Sequence, residues 1–206
     1  MSSYFITFEG PEGSGKSTQA ALLADALRSI GLLTRLTREP GGDPVSEQIR
    51  KILLDSPDDS ITNRAELFLY LAARAQHVEN IIRPNLKKGA IVICARYIDS
   101  TVAYQGWGGG LSVDMIRTLN NAATGGLIPD ITFLMDIDAE TGLKRQQDWN
   151  RMERKGLDYH ARVREGFLAE AKLYPERIKV LDAAQDIDFI HRQVLHYVAE
   201  KLKIAV

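Results

Sequence analysis

Residues Gly10-Pro11-Glu12-Gly13-Ser14-Gly15-Lys16-Ser17 carry the pattern G-x-x-x-x-G-K-[ST], a cradle for a chain of phosphates. Its glycines tolerate positive φ and lack side chains, so successive backbone N–H groups can turn inward onto phosphate oxygens. The positive end of a helix that follows would add to that field. Lys16 is suited to bridge β- and γ-phosphates and the Ser17 hydroxyl to coordinate Mg²⁺, with Thr18 closing the binding stretch. Such a loop implies a nucleoside triphosphate but does not name the reaction. D-x-x-G and N-K-x-D, the marks of a GTPase switch, are absent from the chain.

The loop needs a strand before it and a helix after it, and the sequence supplies both. Tyr4–Phe8 reads as a strand and 17–30 as a helix. Leu32–Thr37 is a second strand, and Val45–Leu54 a helix started after Asp43-Pro44. Glu66–Leu86 gives a long helical pattern closed by Lys87-Lys88-Gly89. Ala90–Cys94 is a continuously apolar strand, as burial on both faces requires. Ile131–Asp136 and Ile178–Leu181 are two more strands, each followed by a helical stretch. Strands alternating with helices predict an α/β fold, a parallel sheet covered on both faces. Ligands of such sheets collect beyond the carboxyl ends of the strands. Neither repeats nor linkers divide residues 1–206, which read as one domain.

Bulk properties set the limits. A chain of 206 residues with 45% apolar residues can bury a sizeable core. A net charge of −1 gives no overall field for nucleic acid or membrane, so local Arg and Lys groups must meet an anionic substrate. No signal peptide and no apolar stretch of membrane-spanning length is read, which points to the cytoplasm. Cys94, the single cysteine, lies in an apolar strand and reads as a buried structural thiol. His77, His160, His191 and His196 show no metal-ligand spacing. The run from Lys144 to Arg164 is dense in Arg and Lys and, taken alone, reads as a solvated helix face.

The chain resembles thymidylate kinases nearly end to end. The resemblance is carried by Phe8-Glu9-Gly10 with the phosphate loop, Arg38-Glu39-Pro40-Gly41-Gly42, the stretch from Ala65 to Arg74 (AELFLYLAAR), and that from Arg96 to Gly106 (RYIDSTVAYQG). Pro129-Asp130, Arg151-Met152-Glu153 and Arg162-Val163-Arg164 follow. It implies a five-stranded parallel sheet with a short helical lid, ATP and Mg²⁺ as cofactors, dTMP as acceptor, and a homodimer.

The resemblance also gives roles to matched positions. Tyr70 and Arg74 lie four apart, on one helical face, where the ring could stack on a pyrimidine and the guanidinium donate to a base carbonyl. Thr101 and Gln105 can hydrogen-bond the base edge, and Tyr104 would pack beneath the sugar. Arg38 and Arg96 would clamp the monophosphate bidentately, with Arg50 assisting. Glu12 sits where the family directs an acid at the acceptor. The phosphate loop offers no arginine for the phosphoryl group in flight, so the Lys144–Arg164 run becomes the expected lid, with Arg151 the leading catalytic cation and Arg145 next. Asp136 and Asp138 fit equally as phosphate-site hydrogen-bonders or as a strand terminus.

One departure stands out. The family places Asp-Arg-(Tyr/Phe/His) after the third strand, and this chain has Ala95-Arg96-Tyr97. An engineered replacement, a natural alanine with Glu12 or Glu39 organising the metal, and nucleotide binding with little turnover are three accounts of it. A kinase for another nucleoside monophosphate and a nucleotide-binding regulator are the rival functions.

Overall fold

In β1 (Tyr4–Glu9), Ile6 and Phe8 point to one face while Phe5 and Thr7 point to the other, the two-residue period of a pleated strand. This alternation sets the layers of the computed structural model, which describes residues 3–57, 60–146 and 150–204. In chain order, β1 is followed by α1 (Lys16–Ser29), β2 (Thr34–Arg38), α2 (Pro44–Asp55) and α3 (Asn63–His77). A π-helical turn (Val78–Ile82) leads into α4 (Arg83–Lys87), then β3 (Ile91–Ala95), α5 (Ile98–Thr101) and a second π-helical turn (Val102–Gly108). Next come α6 (Val113–Thr124), β4 (Ile131–Asp136), α7 (Ala139–Lys144), a 3₁₀ turn (Glu153–Lys155), α8 (Leu157–Leu173), β5 (Ile178–Asp182) and α9 (Ile187–Leu202).

All strand pairings are parallel, in the order β2-β3-β1-β4-β5. On one face Ile6, Phe8, Ile93 and Phe133 pack with Leu23 and Leu27 of α1 and Val194 and Val198 of α9. On the other, Phe5, Val92 and Cys94 meet Val78, Ile82 and Tyr97, while Leu134 and Ile178 meet Val163 and Phe167 of α8. Cys94 is buried and unpaired, and burial raises its thiol pKa well above the usual value. Among the described residues no helix is long and apolar enough to cross a membrane.

The helical pattern expected over Glu66–Leu86 begins earlier, at Asn63, because the Thr62 hydroxyl accepts from the Ala65 N–H at 3.4 Å, and it passes through the π turn before α4. The charged run from Lys144 to Arg164 is divided. Residues 157–164 are the first half of α8, where Val163 is core and Arg164 holds Asp136 through two bonds of 2.7 and 2.8 Å. Of the segment expected as a lid, 144–164, residues 157–164 thus belong to α8, and Gln147, Asp148 and Trp149 lie outside the described residues. Asp138 caps α7, accepting from the Thr141 N–H at 2.9 Å.

Side chains cap several helix starts, whereas α1 and α8 begin at glycines with no side-chain cap. Asp43, Ser112, Asp138 and Asp186 accept first-turn N–H groups of α2, α6, α7 and α9. At α1 the cap is Gly15 in the left-handed conformation, with no side-chain acceptor, which leaves its amide donors for an anion. The short α5 is capped from a distance. Glu9, buried at the end of β1, accepts from the Tyr97 N–H at 2.8 Å, the Ser100 N–H at 3.3 Å and the Ser100 hydroxyl at 2.5 Å.

Burial and, behind it, the charge of Asp99 push the Glu9 pKa up to about 7. A carboxyl raised in the folded state favours folding at low pH. That contribution falls as pH rises from the ordinary carboxylate range to about 7, and is absent above it. Compared with Glu9→Gln, the parent should therefore lose thermal stability across that window and run parallel to the variant above it. Melting temperatures measured from pH 5 to 8 check this, and parallel curves throughout the window would refute it.

Candidate functional site

The phosphate loop leaves β1 with Gly10 at φ 139°, where a Cβ would lie 2.4 Å from the Met135 carbonyl oxygen. Gly13 is pressed as closely against Gly142 of α7: a Cβ on Gly13 would lie 2.0 Å from the Gly142 oxygen, and one on Gly142 would lie 2.3 Å from the Glu12 oxygen. These glycines are required by close approach, whatever their flexibility.

Lys16 turns back on the loop, its Nζ donating to the Pro11 carbonyl and, at 3.0 Å, to the Ser14 hydroxyl. Burial, reinforced by Arg96, drives its pKa down to about 7 against the opposing pull of Glu12 and Glu9. Ser17 and Thr18 are exposed at the mouth.

A cavity of about 410 Å³ begins at this loop and runs along the carboxyl ends of the strands. That volume falls in the range of small-ligand sites. Midway along it stands Arg96, held at φ 68°, a left-handed conformation uncommon for a side-chain-bearing residue. Its N–H donates to the Phe8 carbonyl at 2.8 Å, and its guanidinium bonds Glu12 at 2.6 Å, the Tyr104 oxygen at 3.1 Å and the Gly10 carbonyl at 3.3 Å. Tyr104 in turn donates to Glu12 at 2.9 Å. Burial raises the Glu12 pKa, but Arg96, Lys16 and Tyr104 outweigh it and hold the carboxyl below its usual range. A clamped carboxylate of this kind fixes the direction of Arg96.

The far end is lined by Tyr70, Arg74, Thr101 and Gln105. Arg74 is wholly buried and locked. It donates to Glu39 at 2.7 Å, Thr101 at 2.8 Å, Asn120 at 2.6 Å and the Tyr97 carbonyl at 2.8 Å. Glu39 also meets His77 at 3.1 Å, whose other ring nitrogen is 2.7 Å from Thr37. His77 is thus a packing residue in the shell behind Arg74. Arg50 reaches the cavity with its guanidinium on the Pro40 carbonyl at 2.9 Å.

Not every expected residue faces this cavity. Arg38 pairs with Glu47 at 3.0 Å, half-exposed, on a second cleft of about 610 Å³ that it shares with Ser17 and Ala95. Arg151 is buried behind the cavity wall, donating to Glu66 and, at 3.0 Å, to the Leu53 carbonyl. Of the two lid arginines expected to supply catalytic charge, Arg145 is the one lining the cavity, anchored to the Ala183 carbonyl at 2.9 Å.

Asn150, Met152 and Glu153 line it as well, and sequence reasoning gave them no role. Arg151-Met152-Glu153 was visible as a motif, yet nothing in it signalled that Met152 and Glu153 would face the cavity while Arg151 turns behind its wall. Trp107 packs against α8, where a Cβ on Gly166 would lie 2.7 Å from the indole. Asp136 is taken by Arg164.

Among the described residues no three His, Cys, Asp or Glu side chains converge as a metal site. Magnesium keeps several waters and takes phosphate oxygens, so a single hydroxyl beside a phosphate cradle suits it, and Ser17 offers that hydroxyl.

Known proteins share this sequence pattern and fold. The family model for thymidylate kinase matches residues 8–194. Curated thymidylate kinases from Exiguobacterium sp. and Roseiflexus castenholzii are each 48% identical to this chain. The alignments cover 98% of this chain and 97% of the first relative, and 93% and 91% for the second. A crystal structure of thymidylate kinase from Ehrlichia chaffeensis superposes with a TM-score of 0.81 at 38% identity, covering 96% of this chain and 99% of that one.

Proposed function

This chain belongs to the thymidylate kinase family and phosphorylates dTMP at the expense of ATP, and we propose that the cavity from Lys16 to Gln105 is where both nucleotides meet. The observation that carries the reading is the continuity of that cavity, with a phosphate loop at one end, an aromatic and amide-lined pocket at the other, and Arg96 between them.

In this reading the base of dTMP lies on Tyr70, with Arg74, Thr101 and Gln105 at its polar edge and Tyr104 beneath the sugar. Arg96 and Arg50 hold the monophosphate, and Arg38 joins them only by leaving Glu47. The loop N–H groups from Gly13 to Thr18 and the open start of α1 hold the triphosphate of ATP. Mg²⁺ would be held by Ser17 with phosphate oxygens, and when bound it neutralises phosphate charge.

An oxygen of the dTMP phosphate attacks the γ-phosphorus, a new P–O bond forms, and the bond to the bridging oxygen breaks to release ADP. Lys16 and Arg145 meet the charge on the moving group. Glu12 orients Arg96 and faces the acceptor's sugar. Arg151 acts from behind the wall by placing its neighbours.

The homodimer implied by the family places the exposed Phe68 of α3 and Met115 of α6 as apolar candidates for the contact. The cytoplasm is the compartment proposed, with neither nucleic acid nor membrane as a partner. An ADP-release assay with dTMP, dUMP, dCMP, GMP and AMP tests the assignment. dTMP should be preferred, with dUMP next because it shares the imide edge. A preference for a purine monophosphate would overturn the base pocket.

A further inference from the structure

Glu66, in the first turn of α3, is only 1% exposed although it carries a carboxylate. A buried charge is costly unless it is paired and hydrogen-bonded, and donors reach this one from two directions. From the cavity wall, Gln105 Nε2 donates to its Oε1 at 2.8 Å. From the segment before α8, Arg151 donates to its Oε2, while Lys155 Nζ lies 3.2 and 3.1 Å from the two oxygens. Burial raises the Glu66 pKa, but Lys155, Gln105 and Arg151 together bring it below the ordinary value, so the group is ionised at neutral pH.

The contacts continue outward on both sides. Arg151 is pinned to the end of α2 through Leu53, and Lys155 lies 4.9 Å from the centre of the Tyr159 ring, whose hydroxyl donates to the Tyr104 carbonyl at 3.0 Å. Asn150, Met152 and Glu153, interleaved with these cations, line the cavity itself.

Two consequences follow from elementary chemistry. An ionised carboxylate only accepts hydrogen bonds, so the atom of Gln105 facing it is nitrogen, and the amide oxygen is left toward a ligand. An acceptor there suits the ring N–H of thymine or uracil and opposes the bare ring nitrogen of cytosine. Moreover, Gln105 and Lys155 share one oxygen of Glu66, so displacing either changes the field felt by the other.

We propose that Glu66 is a positioning residue at which base recognition and lid placement are joined: it fixes the Gln105 amide with its oxygen toward the base and docks residues 150–155 on the same carboxylate. This rests on the base lying at Gln105, as argued above.

The test is a set of steady-state measurements on the full-length enzyme. In Glu66→Gln, the new amide can donate to Gln105 as well as accept from it, and the orientation is no longer fixed. The preference for dTMP over dCMP in kcat/KM should then fall about tenfold, the worth of one well-placed hydrogen bond, while the ratio of dTMP to dUMP stays put because both carry the ring N–H. A merely structural role would lower all three substrates alike, and that result overturns the proposal.

Gln105→Met, Lys155→Met and their double variant decide the question even where Glu66→Gln fails to fold. Groups sharing a partner are expected to couple, so the double variant's loss in kcat/KM for dTMP should depart from the product of the single losses by about threefold or more. A simple product overturns the joint alone. A Gln105→Met enzyme with unchanged KM for dTMP overturns the base placement, and this proposal with it.

Discussion

Replacing Lys16 with Met is expected to lower kcat about 10²- to 10³-fold, the usual cost of removing one preorganised charge from a phosphoryl-transfer site. The structure also predicts that this loss comes without unfolding. Lys16 is buried in its own loop, where desolvation already drives its pKa down to about 7. Methionine has a similar length, tolerates the irregular space and has no charge to desolvate. The variant should therefore melt at or above the temperature of the parent. Rate loss with retained stability separates a catalytic charge from a structural one. Steady-state turnover with saturating ATP and dTMP, beside a thermal melt, makes the comparison, and a Lys16→Met enzyme that keeps most of its turnover would refute the role.

The second large effect runs the other way. Ala95→Asp should raise turnover about tenfold and lower the Mg²⁺ needed for half-maximal rate, the scale on which outer-shell carboxylates act. Ala95 ends β3 and opens on the same cleft as Ser17. The acids already in that cleft are engaged: Asp43 caps α2 and bonds the Ser46 hydroxyl, and Glu47 holds Arg38. Outside it, Glu39 is committed to Arg74 and His77, and Glu12 to Arg96 and Tyr104.

A new carboxylate at position 95 would thus be the free one near Ser17. Its action as a proton acceptor is the weaker account, since a phosphate monoester with a second pKa near about 6 has already lost that proton at neutral pH. Ala95→Asn, which has the shape without the charge, should give none of the gain. Equal rates for the parent and Ala95→Asp would show the missing acid to be irrelevant.

Both predictions draw on features of unequal legibility. The phosphate loop and the five strands could be read because each is local. Runs such as Ile91-Val92-Ile93-Cys94 declare burial by themselves, and Gly15-Lys16-Ser17 declares the start of α1. Helical spacing puts Tyr70 and Arg74 on one face, but spacing alone favoured a core tyrosine and a surface arginine, and only the family resemblance pointed them at a base.

What could not be read depends on which long side chain turns which way. Arg38 and Arg151 are guanidinium groups in matching motifs, yet one is drawn to Glu47 and the other to Glu66, acids that sequence reasoning had no means to pair with them. Helix α6 was missed although Ser112 caps it, Gly125 stops it and Val113, Ile116, Leu119 and Ala123 recur at helical spacing; only the packing of Ile116 on Leu67 and Val102 is long-range. Likewise, the cap that Glu9 places on α5 spans 88 positions from β1 to Tyr97.

The abutment of Gly13 and Gly142 bears on how this enzyme can be recombined. Two backbones meeting without side chains act as a fixed joint, so the residues before position 142 and the phosphate loop form one part. A lid exchanged with a relative should be spliced after Gly142. A junction placed earlier would import a helix whose approach to the loop was fitted to another partner, and the cradle would be deformed before any lid residue was tested.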